Sequence, residues 1–176
     1  MRFSILATLL AISACHVAGS PTGEIDIEHR SAQEIIDKLN LTANVEKGWY
    51  IETFEDPGRY GNRSYSTAIY YLLEGAVGPS IWHTVDSVEV WHHYAGAPLR
   101  LDLSYNNGTP TVSKTLGKDL FDNQAPQIVI DGGRWQRAES LGQWTLVGTT
   151  VAPGFDENGF ELADPDWEPN DGSQKK

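Results

Sequence analysis

The chain has 176 residues, a formal charge of −11 and a single cysteine, Cys15. That length argues for one domain, and one cysteine excludes a disulfide framework or a thiolate-rich metal site. The acidic balance repels phosphate backbones and anionic bilayers, so neither nucleic acid nor a membrane surface is an expected partner.

Residues 1–19 read as a secretory signal peptide, to be left out of the fold. Arg2 supplies the positive start, Ile5 to Ile12 is apolar apart from Thr8, and Val17-Ala18-Gly19 before Ser20 offers small residues for cleavage. The run is too short to span a bilayer. Cys15 and His16 leave with it, so the mature chain carries no thiol. A secreted or secretory-pathway protein is expected, and the sequons at Asn40, Asn62 and Asn107 are its expected glycosylation sites.

Residues 20–30 form a polar leader. Ser31 to Leu41 predicts a short N-terminal helix: Ser31 and Glu34 have capping-box spacing, and Ile35, Ile36 and Leu39 make an apolar stripe. From Gly48 to Phe160 short runs rich in Trp, Tyr, Val, Ile and Thr are broken by Gly, Pro and Asn, the pattern of an all-β sandwich or barrel. Strands are expected near 49–54, 66–73, 80–84, 89–95, 99–104, 111–116, 127–130, 135–138 and 144–150. Asn106-Asn107-Gly108 signals a hairpin turn and Asp131-Gly132-Gly133 a second tight turn. The domain is taken as residues 31–163. Residues 164–176, rich in Asp, Pro, Asn, Gly and Ser, are expected to be a disordered acidic tail.

His83, His92 and His93 lie within eleven residues of one another, with Trp82, Asp86, Glu89 and Trp91 among them. Side chains two apart on a strand share a face, so Glu89, Trp91 and His93 point one way and Val90, His92 and Tyr94 the other. A turn at Val85-Asp86-Ser87 predicts a short hairpin that brings His83 beside Glu89. A buried carboxylate there fixes the imidazole tautomer and stabilises its charged form. An ordinary hairpin with surface histidines fits the same composition equally well.

The spacing Gly78-x4-His83-x-Val85-x3-Glu89-x6-Gly96 resembles the first motif of the cupin superfamily, and Asp131-Gly132-Gly133-Arg134-Trp135-Gln136 resembles the second. The segments Ser66 to Leu73, Trp82-His83, Glu89 to His92, Tyr94 to Gly96, Pro126 to Val129, Gly142 to Gly148, Thr150 to Asp156 and Phe160 to Leu162 are similar to the cupin type 5 branch, a domain-of-unknown-function family. The resemblance covers roughly residues 31–163. It implies a double-stranded β-helix jelly roll, a homodimer, a pocket at one end of the barrel, and kinship with sugar epimerases and isomerases. Metal-binding members use three histidines and a glutamate. Here His83 and Glu89 match two of those positions, while Val85 and Gln136 stand at the others. Valine cannot ligate and glutamine is a weak neutral ligand, so no cofactor is expected. A divalent metal, if held, would fall to His83, Glu89 and Gln136. Val88 stands where relatives often carry an aspartate.

The function expected is acid–base work on a small molecule, of the isomerase, epimerase or cyclase type, with specialised-metabolite biosynthesis as its setting. His83 would be the general base, Glu89 its charge-balancing partner and Tyr70 the acid, although the sequence leaves open which of Tyr70 and Tyr71 faces inward. Arg63, Ser66, Trp91, His93, Gln127, Trp135 and Gln136 are the candidate substrate-binding residues; Arg63 suits either an anionic substrate or the surface. Trp82 is a further candidate for the pocket wall, and Trp144 is expected in the core. Pro153 to Asp156 is expected to be a structural turn. Two alternatives stand beside this reading: a non-catalytic module binding a sugar-like or aromatic-acid ligand, and a metal-dependent oxygenase.

Overall fold

The computed structural model describes residues 26–173; the expected signal peptide lies outside them. Among the described residues one α-helix, α1 (Ala32–Leu39), follows a 3-10 turn at Ile27–His29 and precedes the strands. Ser31 caps it by accepting from the Glu34 amide, and the Glu34 carboxylate takes the Ser31 amide in return, the capping box the sequence predicts. Fourteen strands follow: β1 (Thr42–Ala43), β2 (Trp49–Glu55), β3 (Arg59–Tyr60), β4 (Arg63–Ser64), β5 (Thr67–Glu74), β6 (His83–Val85), β7 (Val88–Gly96), β8 (Leu99–Ser104), β9 (Val112–Leu116), β10 (Gln124–Ala125), β11 (Gln127–Ile130), β12 (Trp135–Ser140), β13 (Trp144–Ala152) and β14 (Phe160–Leu162). Each expected strand has a counterpart, the one expected near 80–84 beginning only at His83. The short strands β1, β3, β4, β10 and β14 were not foreseen, because two or three residues carry no readable period.

Two six-stranded sheets face each other, one ordered β1-β2-β5-β13-β7-β11 and the other β10-β9-β8-β12-β6-β14. This is the all-β double-stranded β-helix the sequence predicts. Neighbouring strands are antiparallel except β9 and β10. Alternation sorts the side chains. Leu99, Leu101 and Leu103 of β8, Ile128 and Ile130 of β11, Ala138 of β12 and Val147 of β13 fill the interior between the sheets. On the outer face of the first sheet, Leu72, Ala95, Trp144 and Leu146 receive Ile35 and Ile36 of α1. Burying the two isoleucines stabilises the docked helix by about 1.5–3 kcal/mol each. Trp144, expected in the core, sits there and donates its indole N–H to the Arg30 carbonyl at 2.9 Å.

Two expectations need correction. The chain between His83 and Glu89 is not a hairpin. β6 pairs with β12 and β14, whereas β7 pairs with β13 and β11, so the turn at Asp86-Ser87 carries the chain from one sheet to the other. Nor is 164–173 disordered. Trp167 packs its ring 4.3 Å from that of Trp135 and 6.3 Å from that of Trp82. Glu168 takes the Trp82 indole N–H at 3.0 Å and an Arg137 N–H at 2.7 Å. The Asn170 amide donates to Asn106 Oδ1 at 2.7 Å. Polar composition predicts disorder when a segment lacks apolar area to bury, but Trp167 supplies that area on the outer face of the second sheet.

Candidate functional site

One end of the barrel is filled by the leucines of β8. At the other end polar and aromatic side chains share the inward positions with Ile69, Val85 and Val151 and leave a cavity of about 740 Å³. Alternation places its walls. Thr67, Ile69 and Tyr71 come from β5, Thr149 and Val151 from β13, Glu89 and Trp91 from β7, and His83 and Val85 from β6. Tyr50 and Glu52 of β2, Phe160 of β14, the turn Ala43 to Glu46, and Phe155 and Glu157 complete the lining.

His83 is 3 % exposed. Its Nδ1 lies 3.1 Å from the Ile81 carbonyl and 3.4 Å from Glu46 Oε2. A carbonyl oxygen only accepts, so the proton sits on Nδ1 and Nε2 carries the free lone pair. Burial holds the imidazole below its ordinary pKa, while the neighbouring charge of Glu89 pulls the other way. Glu89 is likewise buried, and burial raises its carboxyl, opposed by His83 and by hydrogen bonds from Gln136 and Thr149. The structure therefore brings His83 and Glu89 into one cavity as expected, but from two sheets rather than one hairpin.

Glu46 is the residue the sequence reading missed. It sits in the turn between β1 and β2, a position with no period to place it. The Ile81 amide, two residues before His83, donates to the Glu46 main-chain carbonyl at 3.0 Å. That bond sets the Glu46 side chain against the imidazole. Only 16 % of the side chain is exposed, and burial lifts its pKa to about 8, so near neutrality it is a carboxylic acid with a proton to give.

The other candidates divide by strand parity. Trp91 lines the cavity as expected. Gln136 points inward and holds its neighbours: its Nε2 donates to Glu89 Oε2 at 2.5 Å and its Oε1 accepts from the Trp91 indole at 3.1 Å. Tyr70, expected as the acid, faces the outer side of the sheet and packs edge-on against Tyr94 at 5.9 Å; its neighbour Tyr71 faces the cavity and donates to the Lys47 carbonyl. Ser66 shares Tyr70's side and does not line the cavity, where Thr67 takes its place. Gln127 is exposed because Ile128 and Ile130 take the inward positions of β11. Trp135 and Gln136 are adjacent and cannot both face inward, and Trp135 lies outside against Trp167. Trp82, another candidate for the wall, is also on the outer face. His93 follows Trp91 inward but lies past the cavity, its Nε2 3.0 Å from the Ala97 carbonyl. Arg63 is clamped on Asp86 by two bonds of 2.7 and 2.8 Å; this mutual pairing lowers the Asp86 pKa and raises that of Arg63. Pro153 to Asp156, expected to be purely structural, contributes Phe155 to the lining. Asn40, Asn62 and Asn107 are all exposed.

Val85 has no donor atom, and the acceptor oxygen of Gln136 is taken by Trp91. Among the described residues no cluster of three or more His, Cys, Asp or Glu side chains is placed to hold an ion.

A family model described as Cupin superfamily (DUF985) matches residues 33–163. Among solved structures, a protein from Shewanella oneidensis is 28 % identical, covering 77 % of this chain and 85 % of its own, with a TM-score of 0.72. A hypothetical protein from Leishmania major is 25 % identical over 75 % of this chain and 86 % of its own, with a TM-score of 0.70. Oxalate decarboxylase from Bacillus subtilis shares the fold alone, at 13 % identity and a TM-score of 0.52, over 70 % of this chain and 30 % of its own. No curated protein matches the chain.

Proposed function

This chain belongs to the cupin superfamily, in its DUF985 family, and from that premise we propose that its cavity moves protons on a small carbonyl compound as an isomerase or epimerase. The observation that carries the reading is the placement of Glu46 Oε2 3.4 Å from His83 Nδ1 inside the cavity. One imidazole with a free Nε2 thereby shares a cavity with a protonated carboxyl and a second carboxyl, Glu89. Groups whose environments push their ionisation apart are suited to acid and base roles in one reaction.

The step balances without any oxidant. His83 Nε2 takes the proton from a carbon beside the carbonyl, and the C–H electron pair becomes the C=C bond of an enol. The carbonyl π pair moves to oxygen, which accepts the Glu46 proton. The imidazolium then returns its proton to carbon while an enol hydroxyl gives its proton back to the Glu46 carboxylate and a carbonyl re-forms. Delivery to the opposite face, after the enol turns over in the cavity, gives the epimer. Delivery to the former carbonyl carbon of an enediol, whose other hydroxyl loses the proton, gives the isomer. Glu89, held by Gln136, stabilises the imidazolium meanwhile. Glu46 thus takes the acid role expected of Tyr70. The deprotonation half is common to cyclisation and dehydration.

The test is deuterium wash-in. The protein is incubated in D2O with a panel of small ketones, ketoses and amine-bearing ketones, and proton NMR follows the positions beside the carbonyl. The expected outcome is exchange that His83→Ala slows by about 10²–10⁴-fold. Equal exchange by a folded His83→Ala variant, or none by the unaltered protein, would sink the assignment. Export through the secretory pathway with glycans on Asn40, Asn62 and Asn107 belongs to the same proposal, supported by the exposure of all three asparagines. A glycosidase-sensitive mass shift in protein from a eukaryotic host checks it.

A further inference from the structure

The charge of the lining is one-sided. Glu46, Glu52, Glu89 and Glu157 contribute carboxyls, and among the described residues that line the cavity there is no lysine or arginine. Sites that hold carboxylates or phosphates ordinarily supply a guanidinium or ammonium for charge-assisted bonds. Two nearby cations are committed elsewhere. Arg63 is clamped on Asp86 and also donates to the Gly154 carbonyl. Lys47, next in sequence to Glu46, donates to the carbonyls of Val77 at 3.1 Å and Pro79 at 2.7 Å. An anion entering the cavity would meet carboxyls with no compensating charge.

Aromatic rings stand between those carboxyls. Tyr50 and Glu52 lie two apart on β2, so ring and carboxylate project from the same face. Phe155 and Glu157 repeat the pairing in the loop after β13. Both rings are partly exposed, at 37 % and 41 %, which puts these pairs at the rim. Deeper in, Tyr71 and Trp91 accompany Glu46 and Glu89. Rings alone would suit any apolar ligand, and rim carboxylates alone would be an ordinary solvated edge. Together they match a positive charge, since a ring face attracts a cation within about 6 Å and a carboxylate adds its own field.

We propose that the cavity selects an organic cation: a small molecule bearing a protonated or quaternary amine, held between the aromatic rings and the carboxylates, to the exclusion of carboxylates and phosphates. This names the substrate class of the proton-transfer site, and it rests on that reading only for the ligand's fate after binding.

Three probes of similar shape and different charge test it: choline, its neutral carbon isostere neohexanol, and the anion tert-butylacetate. Each is titrated calorimetrically into the full-length protein at low ionic strength. Choline is expected to bind about tenfold or more tighter than neohexanol, with no measurable tert-butylacetate binding. Replacing both Glu52→Gln and Glu157→Gln is expected to weaken choline about three- to tenfold and leave neohexanol unchanged. Equal affinity for choline and neohexanol, tighter binding of tert-butylacetate, or no binding of choline at about 10 mM would overturn the proposal. Choline preference without deuterium wash-in removes the proton-transfer reading alone. Wash-in without cation preference removes this proposal alone.

Discussion

Glu46 is carried into the barrel by a turn, and the cost of its burial is visible in its ionisation. In the unfolded chain it ionises near its ordinary 4.5, and in the folded protein near 8. Between those values unfolding releases a proton, so this group's contribution to stability is full below about pH 4.5 and is lost as pH rises through about 8. The loss is on the order of 5 kcal/mol. Glu46→Gln removes the titration. Thermal unfolding at about pH 5 should then separate the two proteins little, whereas at about pH 8.5 the variant should be the more stable. A wild-type advantage that grows with pH would contradict the burial argument. Nothing in the sequence marks Glu46, because a turn residue belongs to no repeating face. His83 and Glu89 were legible, because their spacing resembles a known motif and strand alternation keeps Glu89 and Trp91 together.

Strand β7 shows how one irregular residue redirects a face. His93 pairs with Val147 and Ala95 with Leu146, so Tyr94 is an extra residue in the ladder. Glu89, Trp91 and His93 therefore face inward, while Ala95 joins the outer cluster against α1. The strand ends at Gly96, whose φ of +81° favours glycine. A methyl group there would stand 2.4 Å from the Trp144 carbonyl oxygen. Gly96→Ala should therefore cost roughly 2 kcal/mol or more, read by calorimetry; a change of a few tenths would contradict the close approach. Strand positions were readable from composition, but their orientation required the partner strands. Tyr70 against Tyr71 is the clearest case, since two adjacent tyrosines give alternation nothing to choose between. Ile128 and Ile130 did signal that Gln127 faces out, and adjacency alone forbade Trp135 and Gln136 from sharing the cavity.

Across the whole molecule, one segment covers the outside of the second sheet and one side chain links the two sheets inside. Outside, the segment 164–173 closes over the second sheet through Trp167 and Glu168. Trp167→Ala should cost about 1–3 kcal/mol, measured by urea unfolding, and ending the chain after Ala163 should cost at least as much. Unchanged midpoints would mean that the segment is only laid on the surface. The sequence could not disclose this, since the tail's one tryptophan finds its partners on strands far away in the chain. Inside, Gln136 of the second sheet bridges Trp91 and Glu89 of the first, giving a chain of bonds from indole N–H to amide to carboxylate. Such bonds polarise one another, so ionisation of Glu89 strengthens the bond at the far indole. The Trp91 indole proton is then a resident spectroscopic probe: its NMR resonance should move downfield as Glu89 loses its proton, reporting the charge of an empty cavity with no ligand or label added.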